Sequence, residues 1–211
     1  MARGRFITFE GGEGGGKSTQ VKRLVARLQA AGITVVATRE PGGSPGAEAI
    51  REIVLKGAAD RWSPITETLL MYAARRDHIE RVIAPALARG DWVVCDRFAD
   101  STRAYQGGAG GVDSGLIDAL EAEVLGETRP DLTLVFDLPP EVGLERAHAR
   151  AGSEMRFESK GLAFHARLRE AFAAIAAGEP ERCAVIDATR TMDEVDGEVW
   201  RTVSERLAVH A

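Results

Sequence analysis

The chain is predicted to fold as an open parallel β-sheet with helices on both faces, an α/β domain of three layers. Two observations carry that expectation: five short β-rich apolar runs recur along the chain, and amphipathic helical patterns lie between them. Most of the runs are continuously apolar and do not alternate, as expected of strands covered on both faces.

The first run, RFITFE (5–10), leads through a glycine-rich loop into KSTQVKRLVARLQAAG. There Val21, Leu24, Val25 and Leu28 follow the i, i+3, i+4, i+7 spacing of a helix, and Gly32 stands where a closing glycine belongs. TVVATRE (34–40) is the second strand. Thr66 to Arg89 is helical by the same test, with Pro85 expected to bend it or to begin a new helix. WVVCD (92–96) is the third strand, and Leu116, Ile117, Leu120 and Val124 mark a helix closed by Gly126. LTLVFDL (132–138) and CAVID (183–187) are the fourth and fifth strands. The last helix begins at Thr191 with Glu194 completing a capping box, and Val195, Val199, Val203 and Leu207 form its apolar stripe. No repeat, low-complexity tract or linker divides the chain, so residues 1–211 are expected to form one domain.

The net charge of −5 argues against a surface that binds nucleic acid generally, so an anion must be held by a local site. Cys95 and Cys183 lack zinc spacing and sit in apolar strands, which makes them reduced core thiols. MARGRFITF has no long apolar signal region, and no stretch reaches the apolar length of a membrane span. A cytosolic protein with no membrane partner is expected.

Gly11-x-x-x-x-Gly16-Lys17-Ser18 matches the P-loop pattern after a strand and before a helix, the context that pattern requires. Successive N–H groups of Gly11, Gly12, Glu13, Gly14, Gly15 and Gly16 can curl around a phosphate, and the helix N-terminus adds positive partial charge. Lys17 can reach the β/γ oxygens and Ser18 can ligate Mg²⁺. A side chain at Gly11 or Gly16 is expected to obstruct the approach of that phosphate. The motif indicates a nucleoside triphosphate and leaves the reaction open. A GTPase is disfavoured, since no N-K-x-D guanine motif and no D-x-x-G after the second or third strand is present.

Three further clusters point to an acceptor. Arg39-Glu40-Pro41-Gly42-Gly43 leaves the second strand at the carboxyl edge of the sheet, where α/β proteins bind ligands. In LLMYAARRDHIERVI (69–83), Arg75 lies one helical turn beyond Met71 and Tyr72. In VVCDRFADSTRAYQGGAGG (93–111), Asp96-Arg97 leaves the third strand ahead of Ser101, Thr102, Tyr105 and Gln106. Arginines for a phosphate dianion, a ring for stacking and an amide for base edges suit a nucleoside monophosphate. The readings that remain are a kinase of a nucleoside monophosphate and a nucleotide-dependent switch. The acceptor-side arginines count against the switch.

GGEGGGKST, TREPGG, LLMYAAR, DRFADSTRAYQGG and RFE occur in the order seen in thymidylate kinases, and the resemblance covers nearly the whole chain. It implies ATP + dTMP giving ADP + dTDP, Mg²⁺, a five-stranded parallel sheet of order 2-3-1-4-5 and a homodimer packed through long helices. By matching position, residues Gly11 to Thr19, with Ser18 and Thr19 closing the motif, would bind ATP, and Glu13 would approach the deoxyribose 3′-hydroxyl. Arg39, Arg75 and Arg97 resemble contacts to the monophosphate and the Mg²⁺ side, and Arg51 lies near the base. Ser101, Tyr105 and Gln106 resemble residues of the thymidine site. Asp96 resembles the carboxylate that holds the metal with Ser18. Met71 stands where the family commonly has a phenylalanine stacked on thymine; its sulfur can still pack on a ring, and this departure keeps a kinase of another monophosphate (dUMP, UMP or CMP) open beside a dTMP kinase.

LERAHARAGSEMRFESK (144–160) carries Arg146, Arg150, Arg156 and Lys160. Phosphoryl transfer needs cations on the migrating group, and this P-loop contains no arginine: Gly14 occupies the position where one variant of the family has it. The resemblance is to the variant with an arginine-rich lid, so Arg150 and Arg156 join Lys17, Asp96 and Arg97 as the expected catalytic set. No general base is required, because the acceptor is already an anionic phosphate oxygen.

Overall fold

The computed structural model describes residues 3–58, 60–149, 156, 157 and 159–209. It contains five parallel strands, β1 (Phe6–Gly11), β2 (Val35–Arg39), β3 (Trp92–Asp96), β4 (Leu132–Asp137) and β5 (Cys183–Asp187), in the order β2-β3-β1-β4-β5. The register runs Phe6 to Val93 and Ile7 to Leu132, so β1 sits centrally with all six residues buried. This is the order and the parallel sheet that the sequence led us to expect.

Alternate residues of the strands feed cores on opposite faces. Ile7, Phe9, Val94, Leu132, Leu134 and Ile186 pack against α1 (Lys17–Ala30) and α9 (Met192–Leu207) through Leu24, Leu28, Val199 and Val203. Phe6, Val93 and Cys95 face the other way, against Tyr72, Ile83, Leu87 and Ile117 of the helices that cover that side. Each of these large side chains, when fully buried, contributes about 1.5–3 kcal/mol. Val135 and Cys183 pack on Phe164, Leu168 and Phe172 of α8 (Leu162–Gly178).

The helix expected from Thr66 to Arg89 is three pieces: α3 (Pro64–His78), a π turn (Ile79–Ile83) and α4 (Ala84–Ala88). Pro85 lacks an N–H and its ring crowds the carbonyl four residues back, and the wider turn before it relieves that conflict. Ser63 caps α3 by accepting from Thr66 N at 3.2 Å. The Thr191–Glu194 capping box of α9 is present in both directions, with Thr191 N donating to Glu194 Oε2 at 2.9 Å.

Helices α2 (Pro45–Leu55), α5 (Ala99–Thr102), α6 (Ser114–Leu125) and α7 (Pro140–His148), with a second π turn (Arg103–Gly108) that follows α5, complete the set among the described residues. Of these the sequence marked α6. Helix α8 went unmarked, although Phe164, Leu168, Phe172 and Ala176 recur every four residues and are all buried. Chain order reverses at β1, so a crevice opens at the carboxyl ends of β1, β3 and β4.

Candidate active site

At the end of β1 the chain enters the glycine loop and leaves it as α1. Gly11 has φ +122°, and a Cβ there would lie 2.3 Å from the Phe136 carbonyl oxygen of β4. Strand packing, and not only the approach of a ligand, therefore demands glycine at this point. Gly14 has φ +73°, and a Cβ there would meet the Gly143 carbonyl oxygen at 2.2 Å. No arginine fits at position 14 while α7 packs so closely, which gives a steric reason for the missing P-loop cation.

Lys17 is buried and curls back over the loop, donating to Gly11 O at 3.0 Å and Gly12 O at 2.5 Å. Burial, aided by the nearby Arg97, pushes its ammonium down to about 8. A bound triphosphate favours the charged ammonium, so binding takes up a proton wherever free Lys17 is neutral. Nucleotide affinity is therefore expected to fall as pH rises through about 8, by up to about tenfold per unit. Calorimetry of ATP binding in two buffers of different ionisation heat should show proton uptake above pH 8, and a pH-independent affinity from 7 to 9.5 would contradict it.

Ser18 Oγ donates to Asp96 Oδ2 at 2.5 Å, which joins the end of the P-loop to the end of β3. Thr19, beside it, is exposed on the first turn of α1. Arg97, the residue after Asp96, has φ +71°, a costly conformation for a side chain of this size. Glu10, fully buried on β1, braces the turn: its carboxylate accepts from Phe98 N at 2.7 Å and from Ser101 Oγ at 2.6 Å. Burial, followed by the neighbouring Asp100, raises the Glu10 carboxyl to about 8. Glu10 was not marked by the sequence, although a lone acid within a continuously apolar strand is a visible signal.

Arg97 so held donates to Gly11 O at 2.8 Å and Ser101 Oγ at 3.2 Å, and approaches Glu13 Oε1 at 3.3 Å. Tyr105 OH donates to the same Glu13 oxygen at 2.5 Å, and the Arg97 guanidinium lies 5.1 Å from the Tyr105 ring centre. Burial alone would raise the Glu13 carboxyl, but Arg97, Lys17 and Tyr105 outweigh it and hold the group below its ordinary range. Glu13 is therefore an anion set between the P-loop and the acceptor residues.

Arg75 is buried on α3, its Nε donating to Glu40 Oε2 at 2.8 Å and its terminal nitrogens to Phe98 O and Thr102 Oγ1. It also lies over the Tyr72 and Phe98 rings. His78 Nδ1 engages the other Glu40 oxygen at 2.9 Å. Arg39 is exposed and forks onto Glu48 at 3.0 and 3.1 Å, and Arg51 Nη1 donates to Pro41 O at 2.5 Å. Gln106 Nε2 donates to Glu67 Oε1 at 2.7 Å. Glu40 and Glu67 set these arginine and amide orientations; the sequence named Glu40 without a role and did not mark Glu67, because their partners are far away in the chain.

Glu13 to Ser18, Arg39, Arg51, Met71, Arg75, Asp96, Arg97, Ser101, Tyr105 and Gln106 line one cleft of about 300 Å³. Of the expected lid cations, Arg156 does not join it. Arg150 lies outside the described residues. Arg156 is buried against Glu67, paired through Nη1 with its Oε2, and donates to Val54 O at 3.2 Å and Ala58 O at 3.1 Å. It is thus anchored at the acceptor end and not over the P-loop, because a buried carboxylate there needs a cation. Arg146 donates to Ala188 O at 3.0 Å.

A family model described as thymidylate kinase matches residues 9–199. The chain is 65% identical to the thymidylate kinase of Caulobacter vibrioides over 99% of its own length and all of that protein. It is 58% identical to that of Bradyrhizobium diazoefficiens, over 97% of this chain and 91% of the relative. In three dimensions it is similar to the crystal structure of thymidylate kinase from Ehrlichia chaffeensis, with TM-score 0.77 and 34% identity over 95% and 99% of the two chains.

Proposed function

The chain belongs to the thymidylate kinase family and phosphorylates dTMP at the expense of ATP, and from that premise we propose how its own residues carry the reaction. The observation that carries the proposal is the joining of P-loop and acceptor arginines through Glu13 in one cleft. The glycine loop and Lys17 hold the triphosphate, with Thr19 at its edge. Arg39, Arg75 and Arg97 form the cationic wall that receives the monophosphate. Met71, Tyr105 and Gln106, with Arg51 and Ser101, enclose the nucleoside, and Glu13 meets its sugar.

Mg²⁺ fits the hard-oxygen pair Ser18 and Asp96, and no group of three acidic, histidine or cysteine ligands occurs among the described residues. Ser18 and Asp96 would hold such an ion, which when bound would supply charge neutralisation to the triphosphate. The chain's own contribution is alignment and electrostatic stabilisation: the acceptor oxygen is already anionic, so no proton need be removed. Lys17 and Arg97 neutralise charge on the two sides of the transferred group. Segment 144–160, as a lid within a single kinase domain, would bring Arg150 and Arg156 to that group on closing, and Arg156 must leave Glu67 to do so.

A homodimer belongs to the same proposal, supported by the exposed apolar side chains Ile53 of α2 and Ile65 and Leu69 of α3. No helix among the described residues is long and apolar enough to cross a membrane, and we place the enzyme in the cytoplasm, acting on free nucleotides and not on nucleic acid. ADP release with Mg-ATP and a panel of dTMP, dUMP, UMP and CMP tests the reading. The highest kcat/KM is expected with dTMP, and chelating the Mg²⁺ should abolish turnover. A stronger response to another monophosphate would overturn the acceptor assignment, and activity that survives chelation would overturn the metal role.

A further inference from the structure

A second cleft, of about 520 Å³, lies between α7 and α8 and shares only Glu13 with the acceptor cleft. Val135 comes from β4, Leu144 from α7, Leu168 and Phe172 from α8, and Val185 from β5. Val185 is 55% exposed although it lies within a strand, because α8 covers Cys183 and leaves the next outward position open. Largely apolar walls with a few polar groups are the usual make-up of a small-molecule site.

The polar end is specific. His165 is 4% exposed, and its Nε2 has no hydrogen-bond partner among the described residues. Its Nδ1 lies 3.7 Å from Glu13 Oε2, a second buried atom without a partner. A carboxylate beside Nδ1 favours the tautomer with its proton there, so Nε2 presents a lone pair. The Nδ1 proton faces Glu13 Oε2, whereas Nε2 is left buried and unpaired, which is costly, and a hydrogen-bond donor presented to Nε2 would relieve it. At the cleft's margin Arg169 is bound to Asp137 by two contacts of 2.7 Å, and Glu141 and Glu170 add further negative charge. Phosphorylated nucleotides are repelled by that lining.

We propose that this cleft is a second ligand site, for a neutral or cationic heteroaromatic molecule that carries an N–H donor. Its ring lies among Val135, Leu168 and Phe172, and its N–H points to His165 Nε2.

Benzimidazole is the probe, with benzoate as an anionic control, each titrated into enzyme saturated with dTMP and Mg-ADP while methyl resonances are followed by NMR. Saturable shifts at Leu144, Leu168 and Val185 are expected with benzimidazole and not with benzoate. Ala173→Trp, at an exposed α8 position lining this cleft and outside the acceptor cleft, should abolish those shifts and leave kcat unchanged. His165→Phe, which keeps ring volume and removes the acceptor, should weaken binding tenfold or more. Absence of saturable shifts, equal binding of benzoate, displacement of benzimidazole by dTMP, or binding that survives Ala173→Trp in a folded, active enzyme would each overturn the proposal.

Discussion

Lys17→Ala is expected to lower kcat by about 10³-fold or more, about 4 kcal/mol of transition-state stabilisation, with the protein still folded. Lys17 is the one lysine that lines the P-loop cleft, and its ammonium is already oriented by the Gly11 and Gly12 carbonyls. A triphosphate oxygen entering the loop exchanges those contacts for a charge-assisted bond at little cost in reorganisation. Stability should change little, because burial already disfavours the charged side chain, as its lowered pKa records. Single-turnover phosphoryl transfer and thermal melting on one preparation check both halves. Turnover close to that of the unmodified enzyme would remove the P-loop from the chemistry, and a large loss of Tm would show that Lys17 holds the fold.

Arg156→Met is expected to act twice. The Arg156–Glu67 pair is buried on both sides, at 1% and 6% side-chain exposure, so removing the cation strands a carboxylate. The loss should be about 3–5 kcal/mol of stability and, for a chain of this length, a fall in Tm on the order of 10 °C. Because Glu67 also holds Gln106, KM for dTMP should rise as well. Arg156→Met/Glu67→Met removes both charges and should recover most of the stability. Turnover of the double variant should remain at least about 10²-fold low, as expected for loss of a cation that serves the transferred group. A stable double variant with the kcat of the unmodified enzyme would confine Arg156 to bracing the acceptor end.

Much of this was legible along the chain because its signals are local. A strand covered on both faces reads as an apolar run, and β1, β3 and β4 read that way. The P-loop is legible because a backbone cradle imposes glycine at fixed spacing, and the α9 cap because its two partners lie three residues apart. Helix α8 shows the weakness of the same approach: its apolar period is plain at Phe164, Leu168 and Phe172, but it follows a charged stretch that drew the reading. Pro85 announced a break without its form, since a π turn and a simple bend both satisfy a missing N–H.

The sequence by itself determined the sheet, the triphosphate loop and the set of cationic and aromatic residues that meet an acceptor nucleotide. Tertiary structure decided what each charge does. Arg75 is held by Glu40 across 35 positions, Arg156 by Glu67 across 89, and Glu13 by Tyr105 across 92. It also turned Gly14 from an omission into a steric requirement, through the Gly143 carbonyl of a helix more than a hundred residues away. The physical reason is the range of the forces: backbone geometry and capping are settled within a few residues. Compensation of a buried charge is settled by whichever group the fold brings within about 3 Å, and no periodicity along the chain encodes that partner.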